Sequence, residues 1–164
     1  MNMHRVSRYA TQGFTLIEML MTVALIGVLA SVAVPMMEIS LQRDRERELR
    51  ETLRTVRRAI DAYKQAVDEG RIEQTTGDSG YPPSLEVLVD GVPDQRDPQR
   101  STLRFLRQVP RDPLQTNTSV PASNTWGKRS YASSHDRPMA GKDVFDVYSL
   151  ASGSGLNGIP YKQW

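Results

Sequence analysis

The sequence predicts an α+β protein in which one long N-terminal helix is packed on a small antiparallel β-sheet. Three observations predict it. Residues 14–37 form an apolar run broken by a single charge, Glu18. Leu49, Leu53, Val56, Ile60, Tyr63 and Val67 then repeat at alternating four- and three-residue steps, the spacing of one face of a helix. Near the C-terminus, residues 129–133 and 144–150 read as strands. A chain of 164 residues holds one domain of ordinary size. Because much of its 38% hydrophobic content sits in the apolar run, that domain must be small and rather polar. The expected organisation is a leader at 1–13, a membrane-spanning helix at 14–37, an amphipathic stalk helix at 38–69 and a globular α+β domain at 70–164.

Residues 2–12 are polar, with His4, Arg5 and Arg8 and no acid, and such a positive flank favours retention in the cytoplasm. The following run matches a hydrocarbon core about 30 Å thick, which takes roughly 20 helical residues to cross. Glu18 is the anomaly, since a carboxylate in a spanning helix costs about 2.5–3.5 kcal/mol. It either reaches water at the boundary or meets a cation. Ser31-Val32-Ala33 offers a second reading, the small-x-small site of a cleaved secretory signal. The apolar stretch is longer than such signals use, and Glu18 has no role in simple export.

Pro35 is expected to kink the helix or mark its exit from the bilayer. Beyond it, the apolar stripe requires a buried face. Arg43, Arg45, Arg47 and Arg50 would suit anionic lipid, but they alternate with Asp44, Glu46 and Glu48, so a solvated face is expected there. One helix over residues 14–69 would be roughly 80 Å long at about 1.5 Å per residue. Gly70 and the polar stretch to Gly80 end it. Pro82-Pro83 precede Leu85, Leu88 and Val89, a short helix closed by Gly91. Residues 94–100 are turn-rich. Leu103, Phe105, Leu106 and Val109 are apolar anchors among Arg104, Arg107 and Arg111, which are expected to face solvent, and residues 117–124 have the composition of an exposed loop. The strand at 144–150 is apolar on both faces and is expected in the middle of a sheet against the stalk helix.

Composition excludes several functions. Lys and Arg total 21 against 19 Asp and Glu, and a net charge of +2 is too small for nucleic-acid binding by bulk electrostatics. Without cysteine there is neither a disulfide framework nor a Cys-based zinc site. His4 and His135 lie in the leader and in a loop, with no motif to orient them as catalysts. Asp143 and Asp146 are a common loop-strand pair, and Gly153-Ser154-Gly155 lacks the lysine of a phosphate loop. The chain does not read as an enzyme.

The string Gly13-Phe14-Thr15-Leu16-Ile17-Glu18 resembles the processing signal of type IV pilins and type II secretion pseudopilins. The resemblance implies cleavage by a prepilin peptidase between Gly13 and Phe14 and N-methylation of Phe14. It also implies that Glu18 neutralises the terminal amine of a neighbouring copy during assembly, which would offset the cost of the buried carboxylate. Leu16, Ile17, Leu20, Val23 and Leu25 are candidates for packing between copies, or against lipid before assembly.

Later segments resemble the major, G-type pseudopilins in particular: Tyr81-Pro82-Pro83-Ser84-Leu85-Glu86, Val109-Pro110-Arg111-Asp112-Pro113, Trp126-Gly127, Phe145-Asp146-Val147-Tyr148-Ser149 and Trp164. The resemblance implies a type IV pilin-like fold anchored in the inner membrane, N-terminus cytoplasmic and domain periplasmic. The implied partners are further copies in a homopolymer, minor pseudopilins, the prepilin peptidase, and an inner-membrane assembly platform with its ATPase. The alternative is a type IV pilin or minor pilin that binds DNA or a surface partner. Two departures stand out. Residues 114–125 are an insertion, and residues 152–158 contain no acid where many G-type pseudopilins carry an aspartate-rich calcium loop. Asp146, Ser154 and Asn157 are the oxygen donors left for calcium, an ion that wants several negative ligands. No cofactor is expected, with calcium as the alternative.

Overall fold

The computed structural model describes residues 13–164, so the expected leader, with His4, Arg5 and Arg8, lies outside the described residues apart from Gly13. Helix α1 covers Leu16–Asp68, 53 residues. The single helix expected over residues 14–69 is therefore present, shorter by two residues at its start and one at its end. It continues through position 35, so Pro35 does not end it. Two compact units divide the chain between Leu41 and Gln42.

In the first unit every described side chain from Gly13 to Leu41 is exposed. Its most apolar 18-residue window has a mean hydropathy of 2.3, so the helix is long and apolar enough to cross a membrane. A helix apolar on all sides is stable only when something surrounds it.

In the second unit α1 buries one face. Leu49, Leu53, Val56, Ile60, Tyr63 and Val67 are all buried, joined by Ala59 and Ala66. The two alanines let the covering loops approach closely. Leu85 and Leu88, both fully buried, press the second helix, α2 (Val87–Asp90), onto this core. Gly91 ends α2 with φ 84°, and a Cβ there would stand 2.6 Å from the Leu103 carbonyl oxygen, so the position requires glycine. The chain then forms β1 (Val92–Pro93), turns through residues 94–101 and returns antiparallel as β2 (Thr102–Leu103). Leu103, Phe105, Leu106 and Val109 pack on the core as expected, Phe105 edge-on to Tyr63 at 5.4 Å between ring centroids.

The C-terminal strands are antiparallel but differ in extent from expectation. β3 is Trp126–Arg129 and β4 is Asp146–Ser149, so the sheet consists of two separate two-stranded pieces. The strand expected at 129–133 instead begins at Trp126, whose indole N–H donates to the Pro110 carbonyl at 2.8 Å. Residues 130–133 leave the ladder because the Asp143 carboxylate accepts from the Ser130 hydroxyl and the Tyr131 N–H. β4 is not central: its one ladder partner is β3, and its Val147 carbonyl accepts from Arg57 at 3.1 Å. Val144 bonds outside the sheet, to Pro82, and Leu150 is 51% exposed.

Two charges are also placed differently. Arg111 does not face solvent freely: its guanidinium donates to the Val120 and Asn117 carbonyls, each at 2.6 Å, and so gathers the loop over 117–120. Glu46, expected on a solvated face, is only 3% exposed. For Glu46 the reason is donors more than a hundred residues away in sequence, at Leu156 and Tyr161; for Arg111 it is a loop six to nine residues on that folds back over the guanidinium.

Candidate processing and assembly site

Gly13 and Phe14 precede α1 outside any regular element. Among the described residues no atom lies within 4 Å of where a Cβ on Gly13 would stand, and Phe14 is 84% exposed. Thr15 caps the helix. Its carbonyl accepts from the Met19 N–H at 3.2 Å, the first bond of the helical ladder. Its hydroxyl accepts from the Glu18 N–H at 3.3 Å, while its own N–H and hydroxyl both reach Glu18 Oε2 at 3.2 Å.

This reciprocal pattern is a capping box, in which Thr at the cap and Glu three residues on satisfy each other's orphan donors. Glu18 therefore has a partner within its own chain, at the positive end of the helix dipole. The Thr-x-x-Glu spacing carried this information in the sequence, and Thr15 was missed beside the more conspicuous Glu18. Among the described residues both bonds from Thr15 to the Glu18 carboxylate fall on Oε2, and none is made to Oε1. The packing candidates Leu16, Ile17, Leu20, Val23 and Leu25 are all exposed on the same stretch of helix.

The three oxygen donors considered for calcium meet different surroundings. Asp146 Oδ1 accepts from Arg57 Nε at 2.7 Å and from the Val147 N–H at 2.8 Å, and Oδ2 faces Arg129 at 3.3 Å. Asn157 Oδ1 accepts from the Ile159 N–H at 3.0 Å, and Ser154 is exposed beside its bridge to Pro160. Two guanidinium groups on the one acid repel a dication, so this set does not fit calcium. Among the described residues, no group of three His, Cys, Asp or Glu side chains is placed to hold a metal.

Asp143 is a structural carboxylate. Burial pushes its pKa up, but the hydroxyls of Ser79 and Ser130 and the Tyr131 N–H outweigh this and hold it below the usual range. His135 is 86% exposed, 3.8 Å from Asp136, with nothing to orient it.

Residues 8–34 match the family model of the prokaryotic N-terminal methylation motif. Over 129 residues, 77% of this chain and 77% of the relative, the sequence is 29% identical to the type II secretion system core protein G of Pectobacterium carotovorum subsp. carotovorum. No solved structure gives a significant match. The N-terminal methylation motif and a similarity spanning three quarters of the length, on a chain whose apolar helix runs on into an amphipathic one and is followed by small antiparallel sheets, support its reading as similar to the G-type pseudopilins.

Proposed function

We propose that this chain is the structural subunit of a periplasmic pseudopilus that drives protein export by a type II secretion system. The observation that carries the reading is the exposed apolar run of α1, whose one carboxylate, Glu18, follows Phe14 by four residues. A prepilin peptidase cuts between Gly13 and Phe14 and the new terminal amine of Phe14 is methylated. The subunit then waits in the inner membrane, N-terminus cytoplasmic and domain periplasmic.

On assembly the platform and its ATPase extract the helix into a bundle of like helices, with minor pseudopilins as further partners. Packing of helix against helix replaces lipid. Glu18 Oε1 pairs with the methylated amine of an adjacent copy, so that each addition neutralises two charges in an apolar medium. The chain does no catalysis of its own.

Mass spectrometry of the protein from its host tests the processing step: the expected N-terminus is Phe14 carrying one extra methyl group, and a chain beginning at Met1 or after Ala33 overturns it. Glu18→Ala tests assembly. It is expected to insert in the membrane and yet form few filaments, read by electron microscopy of sheared fractions. Normal filaments from this variant would remove Glu18 from the mechanism.

A further inference from the structure

The C-terminal segment 152–164 has three glycines and no acid, and only short helical or bridge elements of its own. It is nevertheless folded against α1. The Leu156 N–H donates to Glu46 Oε1 at 2.8 Å, and the Tyr161 hydroxyl reaches the same oxygen at 3.2 Å. Gln42 Nε2 bonds both Glu46 Oε1, at 3.0 Å, and the Tyr161 oxygen, at 3.1 Å.

Glu46 lies on the stripe face of α1, three residues before Leu49, where the packing pattern calls for an apolar side chain. A carboxylate taken out of water there costs several kcal/mol unless donors meet it. Here three donors converge on one oxygen, and Arg50 stands 3.7 Å from the other. The end of the segment is held in the same way: Arg57 donates to the Trp164 carbonyl at 2.6 Å, and the Arg50 guanidinium lies 4.3 Å above the Trp164 ring. A loop that binds a cation turns oxygens inward. This one turns an N–H and an O–H inward, so its chemistry is that of a receptor for an anion, and the anion is a side chain of its own helix.

We infer that Glu46 is an internal anionic latch that orders the C-terminal loop on α1, and that this loop holds its conformation without calcium. Glu46 supplies the negative charge, and the loop supplies the donors that a carboxylate on the stripe requires. The inference rests on contacts within residues 42–164 and not on the secretory role, so either can fail alone.

Hydrogen exchange of peptides covering 152–164, measured on the full chain purified in detergent, tests it. Exchange is expected to be the same in millimolar calcium and in chelator. Glu46→Ala should speed exchange at Leu156 by about tenfold or more, while amides around Leu53 and Ile60 keep their protection. Glu46→Gln, which retains the acceptor oxygen without the charge, should fall between. Should Glu46→Ala fail to fold, Tyr161→Phe decides the matter, because it removes one donor and keeps the ring; a few-fold faster exchange confined to this segment is expected. Slower exchange in calcium, or unchanged exchange in both Glu46→Ala and Tyr161→Phe, would overturn the inference.

Discussion

The two halves of α1 use the same backbone for opposite purposes. From Gln42 onward the helix turns one apolar face to its own domain, and Leu49, Leu53, Val56 and Ile60 are sealed under loops and strands. Before that point Leu20, Val23, Leu25 and their neighbours are exposed on every side. The placement of charge differs in the same sense. Glu46 is buried and met by donors from the folded domain, whereas Glu18 is met by the cap residue of its own first turn. One half is thus buried within its own unit, and the other leaves its apolar side chains exposed among the described residues. The cost of a misplaced apolar residue is paid at once in the first case and deferred to assembly in the second.

The sharpest way to break this contrast is a pair of truncations. Leu53→Ala should lower the domain's stability by about 2–5 kcal/mol, through lost burial and a residual cavity. Leu20→Ala should leave that stability within about 0.5 kcal/mol, because Leu20 is an exposed side chain, 58% accessible. Chemical denaturation followed by tryptophan fluorescence reports both, since Trp126 and Trp164 lie in the second unit. Equal losses from the two substitutions would mean that the halves are not independent.

Acid should come next in effect and act on the second unit. Asp94 is held low chiefly by its hydrogen bonds from Arg71, and Asp97 by those from Ser101 and Gln99. Asp143 is also low, the Ser79, Ser130 and Tyr131 donors outweighing its burial. Each folded-state pKa is depressed, so each contribution is present above the ordinary carboxylate value of about 4 and is lost as pH falls through the lower folded value. The denaturation midpoint should therefore be flat near neutrality and fall below about pH 4. A midpoint that rises in acid would contradict the assignments.

The smallest effect concerns the capping box. Thr15→Ala removes the hydroxyl that bonds Glu18 and should cost about 1 kcal/mol of first-turn stability. The expected readout is faster amide exchange over residues 16–19 in micelles, with the domain's midpoint unchanged. Unaltered exchange there would show that Glu18 needs no intramolecular partner.

Much of this architecture was legible in the residues alone. The long apolar run, the stripe from Leu49 to Val67 and the short helix between Pro83 and Gly91 all follow from composition or from spacing within a few turns, which the chain carries locally. Thr15 belongs with them, because its partner is three residues away. Tertiary structure alone decided where β3 and β4 begin and end, since those limits depend on Asp143 capturing Ser130 and on Arg57 covering the free edge at Val147. It also turned Glu46 inward and Arg111 onto the Asn117 and Val120 carbonyls. A charged side chain looks solvated in sequence wherever its donors or acceptors come from a distant segment, and for Glu46 those donors lie 110 and 115 residues away.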